Sequence, residues 1–466
     1  MPLAVPDMAV RPDNVQFHIL AFEGPDDYSR AGGIASRITG LAEALSAGGF
    51  ETHLWFIGDP DQPGMECRGN LTLHRWCQWI SGYHRGGVYE GEEGKWADYT
   101  ASLPPFLESE WLRPYLSDPT RRAVVLAEEW QTAEAVLRLD ALLRTTGTRP
   151  RASILWNANN TFGFDRIDWP RLAAAATITT VSRYMRYRMW NRGVDPVVIP
   201  NGLSADDFLP PSRIAVAKLH YVLRDRLVLT KVARWDPDKR WLLAVDTVVE
   251  LKRQGLRPLL IARGGVEAHG SEVLARAAAA GLQVVERSPV GCRDLSVAES
   301  LSQLNDADVV DLRCVLGPDS RRMLFRASAA VLANSGHEPF GLVGLEAMAA
   351  GGLVCVGGTG EDYAIPGWNA LVLQMSDPRE LTTLLNRLLV NTIEGRAIRR
   401  RGRATARRYL WSEVIKHHLL PRLSLHPGLR WRPGMAESRA RLPHSHAAPA
   451  APLQTYSSSG TIPDHT

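Results

Sequence analysis

Residues 334–352 read NSGHEPFGLVGLEAMAAGG. An apolar run over 329–333 enters this stretch with the pattern of a buried strand, and Gly336, His337, Glu338 and Pro339 form the loop behind it. Residues 342–350 then carry a helical pattern that stops at Gly351-Gly352. The stretch therefore sets one carboxylate, Glu338, in a loop and a second, Glu346, on the helix that follows. Gly341 and Gly344 leave room for a ligand to approach the backbone. A helix N-terminus presents free N–H groups and a partial charge of roughly +0.5, which suits a phosphate.

Upstream, residues 227–233 form a strand that runs into Arg234-Trp235-Asp236-Pro237-Asp238-Lys239-Arg240 and a helix reaching Gln254. Asp236 is placed to cap and Pro237 to open that helix. Lys239 and Arg240 then fall in its first turn, where cations oppose the helix dipole. Such a breach of local preference marks a candidate site. Residues 257–263 with Gly264-Gly265 form another strand and glycine turn, and the strand at 353–356 runs into Gly357-Gly358-Thr359-Gly360-Glu361, a turn offering amides to phosphate or sugar.

The first half repeats the alternation. A strand at 17–22, a polar loop, Gly32-Gly33, a helix at 34–47 and a strand at 51–57 make a βαβ opening. No G-x-G-x-x-G is present, which argues against a dinucleotide site. Residues 59–118 are irregular and rich in aromatics, among them Trp76, Trp79, Tyr83, Tyr89, Trp96 and Trp111; these are expected to pin an insertion to the core, with stacking on sugar faces as the alternative. The strand at 123–127 ends on Glu128-Glu129-Trp130, and the strand at 153–157 ends on Asn157, followed by Asn159 and Asn160. Strand–helix alternation in both halves predicts an α/β protein of two Rossmann-like domains facing a cleft. The expected divisions are 1–200, 201–424 with a terminal helix, and a disordered tail at 425–466, where Pro, Ser, Ala and His displace any apolar period.

Composition narrows the function classes. The 466 residues are 45% apolar and 22% charged, with 54 basic against 50 acidic residues and a net charge of +4. That balance gives no support to a nucleic-acid partner or a membrane-surface role, so peripheral membrane contact is not indicated. Five cysteines without a C-x2-C pair fit reduced thiols, and no metal is expected. The opening MPLAVPDMAVRPDN shows no charged-then-apolar leader, and no apolar run approaches the ~18 residues of a transmembrane helix, so a cytoplasmic protein is expected. The arginine-rich stretch GRAIRRRGRATARR at 395–408 is read as the solvated face of a terminal helix.

The E-x7-E segment EPFGLVGLE resembles that of retaining nucleotide-sugar glycosyltransferases of the GT-B type, within the glycogen- and starch-synthase-like group. FEGPDDYSRAGGIA is similar to the start of those enzymes, VIPNG at 198–202 to their interdomain hinge, and Arg234 with Lys239 to their R-x4-K pair. The resemblance implies metal-independent transfer from a nucleoside-diphosphate sugar to a carbohydrate or other hydroxyl acceptor, with no cofactor. It implies that Arg234 and Lys239 stabilise the departing diphosphate, that Glu338 holds the sugar, and that Glu346 binds the ribose. Gly341, Leu342, Thr359, Gly360, Arg30, Gly32 and Gly33 would flank the donor, and Glu23 and Asn157 the acceptor. VVLAEEWQTA resembles the segment in which a His-Asp pair precedes Trp; Glu128 stands in the histidine position, as nucleophile, stabiliser or neither. Further departures are Ala233 before the arginine and Arg240 after the lysine, each in place of a glycine. A sugar-nucleotide epimerase or a non-catalytic nucleotide-sugar-binding protein of the same fold remains an alternative.

Overall fold

The structure is a computed structural model that describes residues 8–304, 306–423 and 429–430. The tail expected at 425–466 lies outside the described residues, apart from the short pairing of Leu429–Arg430 with Met8–Ala9.

The first sheet is built from β1 (Val15–Leu20), β2 (Glu51–Ile57), β3 (Met65–Arg68), β4 (Leu71–Trp76), β5 (Arg122–Glu128), β6 (Ala152–Ala158), β7 (Thr177–Thr180) and β8 (Val197–Val198). Its order is β3-β4-β2-β1-β5-β6-β7-β8, parallel except for the β3/β4 hairpin. Every residue of β1, β5 and β6 is buried, as expected for parallel strands covered on both faces. Helix α1 (Gly33–Ala47) follows β1 and buries Ala35, Ile38, Leu41, Ala42 and Leu45, one apolar stripe at helical spacing.

The second sheet comprises β9 (Leu227–Val232), β10 (Pro258–Arg263), β11 (Val284–Arg287), β12 (Val309–Leu312), β13 (Ala330–Ala333), β14 (Val354–Val356) and β15 (Leu371–Val372). It is wholly parallel, in the order β11-β12-β10-β9-β13-β14-β15. The helices that bear on function here are α2 (Arg213–Val222), α3 (Trp241–Arg253), α4 (Pro318–Ala327), α5 (Leu342–Ala349), α6 (Pro378–Val390) and α7 (Thr392–Arg407). Two parallel sheets with helical crossovers give two Rossmann-like lobes, as the alternation predicts.

The chain returns to the first lobe at its end. Trp411, Val414, Ile415, Leu419, Leu420 and Leu423 pack with α1, β1 and β2 in a single core, although the sequence placed residues up to 424 with the second lobe. The close approach of Gly40 and Gly202 to the Trp411 ring explains both glycines: a Cβ on either would come within 2.3 Å of the indole. The Leu203 amide donates to the Tyr409 carbonyl (2.7 Å) and the Trp411 amide to the Leu203 carbonyl (3.0 Å), which ties the VIPNG segment to the returning chain.

Candidate functional site

A cleft of about 420 Å³ opens where the C-terminal ends of strands from both sheets meet. The first lobe supplies Gly32 and Gly33 after β1, Asn159 and Asn160 after β6, and Asn201. The second supplies Lys231 within β9, Arg234 and Lys239 after it, then Ser335, Glu338 and the start of α5 from Gly341 to Gly344. Open α/β sheets bind ligands at this edge because loops there are free to vary while the strands hold them in place.

Lys239 and Glu338 form the central pair. Lys239 Nζ lies 2.8 Å from Glu338 Oε2, and Ser335 Oγ donates to the same oxygen at 2.8 Å. Both charged side chains keep about a fifth of their surface exposed, so each is open to a ligand while restrained by the other. Asp238 fixes the loop that carries Glu338, accepting from the His337 amide at 3.1 Å, while its own carbonyl accepts from Gly336 N at 2.7 Å. Arg234 is exposed and lines the same cleft, with no carboxylate in ion-pair range among the described residues. Gly341 caps α5 at φ +82, and a Cβ there would lie 2.7 Å from Glu361. The first amides of α5 therefore face the cleft beside three cations.

Lys231 escaped the sequence reading. It is fully buried on β9, with Nζ donating to Asn334 Oδ1 at 2.7 Å and to the Leu332 carbonyl at 3.2 Å. Burial, aided by the charge of Lys239 and opposed by Cys355, pulls its ammonium down to about 7. A lysine inside the apolar run LVLTKVA was the visible signal.

Other expected residues sit behind the cleft. Glu23 Oε2 accepts from the Ala35 amide at 3.0 Å and Oε1 from Tyr89 at 2.6 Å, so it anchors the start of α1 instead of facing the cleft. Arg30 turns outward toward the Pro25 carbonyl (2.8 Å) and Asp27 (3.8 Å). Glu128, expected beside the reacting sugar, is turned into the first lobe: Arg37 Nε lies 3.1 Å from Oε1, and the Asn157 and Asn159 amides donate to Oε2 at 2.8 Å each. A buried carboxylate must be neutralised, and Arg37 does this. Asn157, expected at the acceptor, spends its amide on Glu128, while its neighbour Asn159 reaches the cleft.

Thr359 and Gly360 support the site from below. The Glu338 amide donates to Thr359 Oγ1 at 2.8 Å, and a Cβ on Gly360 would lie 2.1 Å from the Glu338 carbonyl oxygen. The turn therefore braces the backbone of the Glu338 loop and does not line the cleft. Glu346 lies on the inner side of α5, with Oε2 3.5 Å from Arg321 and no hydrogen bond to that oxygen among the described residues. Burial raises its carboxyl above the usual range.

The lobes are joined directly: Ser182 Oγ donates to the Pro339 carbonyl at 2.5 Å, and the Arg183 amide to Asp362 at 2.8 Å. No group of histidine, cysteine, aspartate and glutamate with metal-ligand geometry occurs among the described residues. No helix among them is long and apolar enough to cross a membrane.

No protein-family model and no curated protein matches the sequence. Solved structures do match the fold. Sucrose-phosphate synthase from Thermosynechococcus elongatus aligns over 88% of this chain and 99% of its own, at 18% identity and a TM-score of 0.59. The catalytic domain of starch synthase IV from Arabidopsis thaliana, bound to ADP and acarbose, aligns over 87% and 99%, at 14% identity and a TM-score of 0.60. Anabaena HepE in complex with UDP-glucose aligns over 88% and 99%, at 15% identity and a TM-score of 0.57. Two Rossmann-like lobes, closed around a cleft at their strand ends and matched over nearly the whole length of these proteins, give this chain the GT-B fold.

Proposed function

We propose that the protein is a retaining glycosyltransferase that moves a sugar from a nucleoside-diphosphate sugar to an acceptor hydroxyl without a metal. The observation that carries this reading is the convergence of Arg234, Lys239 and Glu338 with the N-terminus of α5 in one cleft. A diphosphate leaving group gains negative charge as the sugar bond breaks. A helix end supplies only about half a charge, so two full cations are needed to absorb the rest. Lys239 and Arg234 fill that role, while Glu338, held by Lys239 and Ser335, accepts hydrogen bonds from the sugar hydroxyls.

Gly32 and Gly33 close the first-lobe side, where a Cβ on Gly33 would already meet the Leu342 side chain at 3.6 Å. Glu23 and Glu128 act as positioning residues: Glu23 sets the glycine loop and Glu128 orients Asn159 toward the cleft. The unbonded Oε2 of Glu346 is the acceptor for a ribose hydroxyl once a donor reaches the inner wall of α5. That Anabaena HepE holds UDP-glucose and the starch synthase holds ADP on the same fold supports a nucleotide-linked sugar as ligand. The resemblance in the E-x7-E segment supports retention of configuration.

A thermal-shift panel of ADP-, UDP- and GDP-sugars tests the reading, because a ligand that binds only the folded state raises its melting temperature. One class of donor should stabilise the protein, and incubation with that donor and candidate acceptors should release the nucleoside diphosphate. No stabilisation by any of the three classes contradicts the donor site. Stabilisation without turnover favours a binding protein, and isomerisation without transfer favours an epimerase.

A further inference from the structure

A cavity of about 980 Å³ lies at the other edge of the second sheet, against the N-terminal ends of β9 and β13. It is formed by α2, the segment after it, residues 326–329, Gly351, the end of α6 and α7. Arginines dominate its wall, and no carboxylate lines it among the described residues. Arg226, Arg326, Arg399 and Arg403 grip backbone carbonyls: Arg399 reaches those of Ser328 (2.8 Å) and Ala329 (3.0 Å), and Arg326 that of Gly351 (3.2 Å). Such bonds satisfy N–H groups but do not themselves cancel the positive charges; Arg226 has Asp306 and Asp308 within electrostatic reach, whereas Arg326, Arg399 and Arg403 have no carboxylate in ion-pair range among the described residues. Arg396 and Arg400, one turn apart on α7, are exposed and have neither a hydrogen bond nor a carboxylate partner among the described residues; Arg224 lies over the Tyr221 ring and meets the exposed Asp225 at 3.5 Å.

Crowded guanidinium groups repel one another, and the cost is visible at Arg399, pulled down to about 10 by burial and by Arg326. A protein keeps such a cluster unneutralised at the expense of stability unless an anion fills it. We propose that this cavity binds a compact, multiply charged phosphate-bearing anion, at a site distinct from the interlobe cleft. Guanidinium forks match phosphate oxygens two at a time, and the volume lies in the range of small-molecule sites. A soluble anion suits a half-open, concave hollow better than a planar bilayer surface does. The position also links it to the cleft: α5 presents its N-terminal residues 342–344 to the cleft, and Gly351, just past its C-terminal end, to the arginines.

Inorganic tripolyphosphate is titrated calorimetrically in about 100 mM salt, where long-range attraction is screened beyond about 10 Å. The proteins compared are the full chain, Lys239→Ala and the double variant Arg396→Ala/Arg400→Ala. Saturable binding is expected to persist in Lys239→Ala, whose cleft has lost a diphosphate-binding cation, and to be at least tenfold weaker at the arginine cavity in the double variant. Both α7 arginines are exposed, so thermal melts should show that variant folded; Arg396→Glu alone serves as a second variant and should weaken binding likewise. The proposal is overturned by absence of saturable binding, by loss in Lys239→Ala with the α7 variants unaffected, or by capture on phosphatidylglycerol vesicles without tripolyphosphate binding.

Discussion

Lys239 and Glu338 stand 99 positions apart in sequence and meet at 2.8 Å in the interlobe cleft. Each restrains the other in the absence of ligand, so the cation that would meet a departing diphosphate and the carboxylate that would hold the sugar are placed together. Preorganisation of this kind lowers the cost of rearrangement during reaction.

Lys239→Ala should therefore reduce turnover about 100- to 1000-fold, equivalent to about 3–4 kcal/mol of lost transition-state stabilisation. Steady-state rates at saturating donor check this. Near-normal turnover would remove Lys239 from the proposed role.

Glu128→Ala should be chiefly a stability defect. It leaves the buried Arg37 without its carboxylate, and breaking such a pair costs about 3–5 kcal/mol. The double variant Arg37→Met/Glu128→Leu should recover most of that loss. Urea denaturation of the unsubstituted protein and the two variants measures the difference; a fully stable Glu128→Ala protein would refute the structural role.

Lys231 makes the cleft sensitive to pH. Its ammonium titrates at about 7, so the positive charge grows as pH falls through neutrality. Affinity for a nucleoside diphosphate should be roughly three- to tenfold greater at pH 6.5 than at pH 8.5, beyond the change measured for Lys231→Met. Calorimetric titration of both proteins at the two pH values tests this, and equal pH profiles would contradict it.

Acid should weaken the first lobe through its buried histidines. His18 is lowered well below 6.5, by burial and then by His53 and His74, and His74 is lowered to about 3 by burial and then by His53. Both are neutral in the folded protein, whereas the unfolded chain takes up protons below about 6.5. Folding stability should therefore hold above that pH and fall as pH drops from about 6.5 toward 3. Once the unfolded histidines are charged, the slope is about 1.4 kcal/mol per pH unit for each. Chemical denaturation across that window should show a shallower slope in His74→Phe.

The alternation of strands and helices, and with it the two-lobed architecture, was legible along the chain because most of the parallel strands are short, largely apolar runs separated by polar or glycine-bearing loops and amphipathic helices. Arg234, Lys239 and Glu338 were legible for a related reason: charged residues in loops at strand ends sit where such sheets bind ligands, and local spacing locates those ends. The direction in which a side chain turns was not legible, since it depends on partners far along the chain. Glu128 is drawn inward by Arg37, 91 positions away, and Glu23 by Tyr89, 66 positions away. Thr359 and Gly360 face the backbone of Glu338. Arginines read as the solvated face of a terminal helix join Arg226 and Arg326 around a hollow, and Lys231 is recruited from a strand interior. Periodicity and turn chemistry act over a few residues, so they show in sequence. The pairing of buried charges depends on which segments the fold brings into contact, and it is settled in three dimensions.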